Sequence, residues 1–87
     1  MIVLTSNPIK AGRRELNLTA DELCVRLNQI LGSNKTKVDV SCWESSKHKP
    51  NQETIFALAK VFNKNPVTFY KAVQDHFQAW NQYFKKE

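Results

Sequence analysis

The chain has 87 residues, enough for one packed domain but too few for two, and its hydrophobic content of 41% excludes wholesale disorder. Thirteen Lys and Arg against eight Asp and Glu give a net charge of +5, which favours polyanionic partners such as nucleic acid or an acidic membrane surface. We therefore expect residues 1–87 to form a single domain with one functional face.

Short polar residues stand at five positions where a helix N-terminus needs a hydrogen-bond acceptor, so the sequence predicts five helices. These predicted caps are Asn7, Thr19, Thr36, Asn51 and Asn65. Thr19-x-x-Glu22 has the form of a capping box, and a proline follows both Asn7 and Asn65. The helices are predicted at about 8 to 17, 20 to 31 and 37 to 46, then from Asn51 to near Asn63, and at about 66 to 85. Gly32 is expected to end the second helix.

Apolar residues recur at helical spacing within these segments and predict the face that each helix buries. The predicted inner residues are Ile9 and Leu16, then Leu23, Leu27, Ile30 and Leu31, then Val40 and Trp43, and finally Ile55, Leu58, Ala59 and Phe62. The last helix carries a stripe of Phe69, Val73, Phe77, Trp80 and Phe84. The only strand-like stretch is residues 2–4, so the predicted fold is all-α. Its core covers about 8–70, and a C-terminal amphipathic helix at about 66–85 completes it.

Helices 2 and 3 are joined by the polar segment 33–35, and helix 3 opens with small, polar and basic residues. This is the organisation of a helix-turn-helix, in which the second helix enters the major groove of DNA. Residues near the N-terminus of that helix reach base edges first. The predicted base contacts are therefore Lys37, Val38, Ser41 and Cys42. Lysine suits guanine and valine suits a thymine methyl group, but the set does not define one DNA sequence.

Basic and hydroxyl residues flank helix 3 on both sides and are suited to bind phosphates. The predicted phosphate contacts are Thr19, Lys35, Thr36, Ser45, Lys47 and Lys49. His48 belongs to the same cluster, and Arg13 or Arg14 of helix 1 is a further candidate. The alternative is a merely solvated basic surface. Trp43 is either a core residue or a base-stacking group, and its place on the same helix face as Val40 favours the core.

Several segments resemble, in the right order, the phage repressor, Cro and XRE-like family of helix-turn-helix proteins: IKAGRREL, LTADEL, VSCWE, KP and ETIFALAKVF. The resemblance covers about residues 9 to 70. It implies a five-helix lambda-repressor-like domain that binds double-stranded DNA through helices 2 and 3 and acts as a small transcriptional regulator, in particular a repressor. It also implies an ion pair between Arg13 and Glu44 that locks helix 1 to helix 3.

The chain departs from the family pattern at three places. Ala20 stands where the family often has a glutamine that contacts phosphate, so this contact is missing or is made by Thr19 or a backbone amide. Ser46 stands where a glycine is usual and is expected to take a left-handed conformation. The segment between Leu27 and Val40 is longer than in the shortest family members, which implies an extended helix 2 and a longer turn.

The C-terminal stripe extends further than a domain of this size needs for its own core. Its outer part is predicted to form a dimer or partner interface made of Phe77, Trp80, Tyr83 and Phe84. A homodimer would place two helix-turn-helix units on the half-sites of a palindromic operator. The alternative is an antitoxin or other interaction module whose C-terminal helix grips a protein partner.

Other function classes find no support in the residue pattern. No paired-carboxylate, Ser-His-Asp or Gly-rich phosphate-loop arrangement predicts an enzyme. No spacing of Cys and His residues predicts a metal site. We therefore expect neither a cofactor nor a small-molecule substrate. Cys24 is expected to be buried rather than reactive. RNA is an alternative polyanion, although the aromatic residues favour burial over an open stacking platform. The absence of an apolar leader or spanning segment predicts a cytoplasmic protein with no membrane partner.

Overall fold

The computed structural model describes residues 7–84, with side chains over residues 7–82. Within this range the chain forms five α-helices and no strand. They are α1 (Pro8–Glu15), α2 (Ala20–Leu31), α3 (Lys37–Glu44), α4 (Gln52–Val61) and α5 (Pro66–Phe84). The all-α prediction is confirmed for the described residues, whereas the strand-like residues 2–4 and the last predicted helical residue, Lys85, lie outside them.

Four of the five predicted N-terminal caps accept a hydrogen bond from the first turn of their helix, whereas the Thr36 hydroxyl donates to the Asp39 carboxylate and makes no such cap. The side chains of Asn7, Asn51 and Asn65 each accept a hydrogen bond from a backbone amide of the first turn. Thr19 and Glu22 form the predicted capping box, in which the Glu22 amide donates to the Thr19 hydroxyl at 3.1 Å and the Thr19 amide donates to the Glu22 carboxylate at 2.8 Å. The pKa of the Glu22 carboxyl lies below its usual value. The main cause is the hydrogen bond that the carboxylate accepts from the Thr19 amide, and the second is the Thr19 hydroxyl.

Left-handed residues reverse the chain after the helices. Gly32, with φ 63°, ends α2 as predicted, and its amide donates to the Asn28 carbonyl at 2.8 Å. Both α1 and α3 end two residues earlier than predicted. The reason is that Asn17, with φ 54°, and Ser46, with φ 64°, turn the chain out of the helix. The left-handed conformation expected at Ser46 is confirmed.

All five helices contribute to one hydrophobic core. Its members are Ile9, Leu18, Leu23, Cys24, Leu27, Val40, Trp43, Ile55, Ala57, Leu58, Ala59, Phe62, Phe69, Val73 and Phe77. Cys24 is 6% exposed, so its predicted burial is confirmed, and this burial raises the pKa of its thiol. Trp43 is 6% exposed, and its interpretation as a core residue is confirmed.

The prediction that Leu16 and Ile30 face the core is wrong, because their side chains are 42% and 41% exposed. The chain reverses at Asn17, and Leu18 enters the core in place of Leu16. In α2 the buried face includes Cys24 and leaves Ile30 on the flank of the helix. The inner face predicted for α4 is confirmed in full.

A buried polar cluster joins the start of α1, the end of α3 and the middle of α5. Asn7 Nδ2 donates to the Trp43 carbonyl at 2.8 Å and lies 3.4 Å from both Ser46 Oγ and His76 Nε2. Ser46 Oγ and His76 Nε2 are 2.8 Å apart. Asn7, Ser46 and His76 are all less than a tenth exposed. Because these buried polar atoms satisfy one another, the cluster holds Ser46, the second residue after α3, against α1 and α5.

Candidate functional site

Four residues, Lys37, Val38, Ser41 and Cys42, form what we call the α3 outer face. The first three are exposed, and Cys42 is half-buried at the edge. On the opposite side of the helix, Val40 is 1% exposed. Because each residue of an α-helix advances about 100° around the axis, the four side chains occupy one continuous arc. The structure therefore brings the four predicted base contacts together on one surface.

The start of α3 is held by two side chains that the sequence analysis did not single out. Asn28 Oδ1 accepts a hydrogen bond from the Lys35 amide at 2.8 Å, and its Nδ2 donates to the Lys35 carbonyl at 3.0 Å. The Asp39 carboxylate accepts from the Thr36 amide at 2.9 Å and from the Thr36 hydroxyl at 3.3 Å. The connection between α2 and α3 therefore has a fixed path, and α3 begins at a defined position relative to α2.

An ion pair between Arg13 of α1 and Glu44 braces the other end of α3. Arg13 Nε donates to Glu44 Oε2 at 2.6 Å and Nη2 donates to Oε1 at 2.9 Å, a planar two-bond arrangement that is stronger than a single contact. Arg13 Nη1 also donates to the Leu18 carbonyl at 2.9 Å. The hydrogen bond with Glu44 raises the pKa of the Arg13 guanidinium above its usual value. The two residues that the family resemblance paired are thus in direct contact, with exposed side-chain fractions of 21% and 11%.

An open groove of about 330 Å³ lies beside the α3 outer face. Its lining residues are Lys10, Arg13, Ala20, Val40, Ser41, Glu44 and Ser45. The small side chain of Ala20 leaves the groove unfilled at the start of α2, and Lys10 borders it from α1. Lys10 is therefore a basic residue next to α3 that the sequence analysis missed. A signal existed, because Lys10 precedes Arg13 by three residues and so shares its side of the helix.

The six predicted phosphate contacts lie before and after α3 in the chain, and all are exposed except the half-buried Lys35. Two of their hydroxyls already act as donors, because Thr36 donates to the Asp39 carboxylate and Ser45 donates to the Cys42 carbonyl at 3.2 Å. A phosphate would have to replace these bonds. In the segment after α3, Lys47, His48 and Lys49 are all exposed.

The structure describes the side chains of two of the four residues predicted to form a partner interface on α5, Phe77 and Trp80. It corrects the assignment of Phe77, which is 3% exposed and belongs to the hydrophobic core. Trp80 is half-buried and stacks on His76, with ring centroids 6.3 Å apart and planes 29° apart. The side chains of Tyr83 and Phe84 lie outside the described residues. Trp80 is therefore the one member of the set that the structure places partly at the surface.

Comparison with known proteins finds no matching family model, no similar curated protein and no similar solved structure. The family resemblance and the function that it implies stay predictions. Over residues 7–84, no helix has the length and apolar character needed to cross a membrane. Within the same part of the chain, no three His, Cys, Asp or Glu residues are grouped so as to hold a metal ion.

Proposed function

We propose that this chain is a sequence-specific double-stranded DNA-binding protein that acts as a small transcriptional regulator and represses by occupying its operator. In this proposal α2 and α3 are the helix-turn-helix, and α3 lies in the major groove. The observation that carries the proposal is the α3 outer face. It presents an amine, a hydroxyl, a thiol and a branched apolar side chain from a short helix whose two ends are held by hydrogen bonds and an ion pair.

The dimensions of α3 agree with this role. An α-helix with its side chains is about 10–12 Å across, close to the width of about 12 Å of the major groove. Such a helix can enter the groove only with a face that its own protein leaves uncovered. The exposure of Lys37, Val38 and Ser41 meets that requirement, while burial of Val40 and Trp43 anchors the opposite face.

The charges around α3 also suit DNA. Lys10 borders the groove beside α3, Lys35 precedes the helix, and Lys47 and Lys49 follow it. The one carboxylate at the end of α3, Glu44, is neutralised by Arg13 and so repels phosphates less than a free glutamate would. Basic residues at both ends of α3 would fix its position on the two phosphate backbones, while the outer face contacts the bases.

Two copies of the chain on a palindromic site would double the number of base contacts. A single helix of eight residues reads few base pairs, and two half-sites about one helical turn apart add their discrimination. The half-buried Trp80 of α5 is the described residue that we propose for the contact between copies.

The proposal is tested by selection of duplex DNA from a random library, performed with the purified chain at low and moderate salt. We expect enrichment of one palindromic sequence at both salt concentrations, because base contacts discriminate beyond the charge attraction. Binding that enriches no sequence and disappears at moderate salt would mean that only the positive charge acts on DNA.

Replacing Lys10 with alanine is expected to weaken binding about equally on all sequences. The negative slope of log affinity against log salt concentration should become less steep by about 2, the value for one phosphate contact in each of two copies. Affinities measured by fluorescence anisotropy across a salt series give this slope. The matched control is Lys71→Ala, since Lys71 lies on the exposed side of α5 and pairs with Asp75. Equal slopes for the wild type and Lys10→Ala would show that Lys10 does not contact phosphate.

A further inference from the structure

The exposed side of α3 has two edges of different chemistry. Val38 and Cys42 are one turn apart and form an apolar edge. Lys37, Ser41 and Ser45 follow one another at intervals of one turn and form a polar edge. Val38 is 64% exposed, although it is the largest apolar side chain on this side of the helix. Ser41 and Ser45 border the groove that Lys10 lines, so the polar edge is the one nearer to α1.

We propose that the apolar edge of α3 recognises thymine 5-methyl groups, so that each half-site of the operator contains thymine opposite Val38 and Cys42. This inference rests on the DNA-binding function proposed above and adds the identity of the bases at these positions. Among the groups that base pairs present in the major groove, the thymine 5-methyl is the apolar one, and the others are hydrogen-bond donors or acceptors. An apolar edge therefore has one matching partner in the groove.

The spacing of the two side chains agrees with a pair of thymines. Four residues of an α-helix rise about 6 Å, and stacked base pairs are about 3.4 Å apart, so Val38 and Cys42 span one or two base-pair steps. A donor or acceptor placed against Val38 would instead lose its water without gaining a partner. The apolar edge thus selects for a methyl group and against an exposed amino or carbonyl group at the same place.

The test uses the palindrome enriched by selection and replaces its thymines by uracil one at a time. Uracil keeps the Watson–Crick pairing and the O4 acceptor and removes only the methyl group. For the wild type we expect each single replacement, at the thymine opposite Val38 or at the thymine opposite Cys42, to lower the affinity about fourfold, the value for one buried methyl-sized group. Val38→Ala changes both copies on the palindrome, so it is expected to bind the thymine duplex about 16-fold more weakly, about fourfold for each half-site, and to be insensitive to uracil opposite position 38.

Val67→Ala is the matched control, because Val67 is an exposed valine of α5 with 73% of its surface accessible. This variant is expected to keep both the affinity and the uracil effect of the wild type. If the wild type binds thymine and uracil duplexes equally, or if the selected half-site has no thymine, the inference is overturned while DNA binding stands. If no duplex is selected at all, the proposed function fails and this inference fails with it.

Discussion

Replacing Arg13 with methionine is expected to lower the free energy of unfolding by about 2 kcal/mol, because it leaves the Glu44 carboxylate partly buried without its partner. Breaking a fully buried pair costs about 3–5 kcal/mol, and the partial exposure of both side chains reduces this value. Urea denaturation followed by circular dichroism measures the change. DNA affinity should fall as well, because Glu44 no longer holds the end of α3 against α1.

Two further variants separate the ion pair from general effects of losing a charge. Replacing both residues by methionine removes the stranded carboxylate, so we expect the double variant to be more stable than the sum of the two single changes predicts. Lys64→Met breaks the ion pair with Glu15, whose side chains are 42% and 56% exposed, and should cost less than about 1 kcal/mol. If Arg13→Met is no more destabilising than Lys64→Met, the pair does not stabilise the fold.

Replacing Gly12 with alanine is expected to destabilise the protein by about 2–3 kcal/mol, although alanine is normally the better helix residue by about 1 kcal/mol. A Cβ atom at Gly12 would lie 2.5 Å from Phe62 Cδ2 and 2.8 Å from two further atoms of that ring. The Phe62 ring is buried against Phe69, with centroids 5.7 Å apart, so it cannot move away freely. Thermal or urea unfolding of the variant measures the loss.

A second substitution tests whether a clash with the Phe62 ring causes the loss of stability expected for Gly12→Ala. Gly12→Ala combined with Phe62→Leu should lose less stability than the sum of the two single variants, because the smaller side chain makes room for the methyl group. Gly32→Ala is the contrasting control, because an added Cβ atom at Gly32 would meet no other atom within 4 Å. Only the left-handed φ of 63° opposes this substitution, and we expect it to lower the free energy of unfolding by about 1–2 kcal/mol. Additive losses for Gly12→Ala and Phe62→Leu would falsify the steric explanation.

The helix starts and the core of α4 were predictable because each depends on chemistry within a few residues. A cap such as Asn51 bonds an amide three residues ahead, and the inner face of α4 follows directly from helical spacing. Leu16 and Ile30 were assigned wrongly because each lies at the border of an apolar face, where the neighbouring helices decide burial. The left-handed turn at Asn17, which exposes Leu16, is a property of one residue that periodicity does not detect.

The sequence predicted the residues of the candidate site better than it predicted the contacts that hold α3 in place. The four residues of the α3 outer face follow from the position of a short helix after a polar turn. The cluster of Asn7, Ser46 and His76 joins positions 30 to 69 residues apart, and no local pattern reports such a contact. Lys10 was missed although its spacing of three residues from Arg13, the predicted partner of Glu44, places it on the side of α1 that faces α3.

The central claim is that the α3 outer face reads base sequence, and one competition experiment tests it most directly. The affinities of the wild type and Lys37→Ala are measured on the selected palindrome and on a scrambled duplex of the same length and composition, at one salt concentration. We expect the wild type to prefer the palindrome by about 10³-fold or more, and Lys37→Ala to lose about 10- to 100-fold of that preference while binding the scrambled duplex almost as well. Equal affinity of the wild type for both duplexes, or an unchanged preference in Lys37→Ala, would contradict the claim.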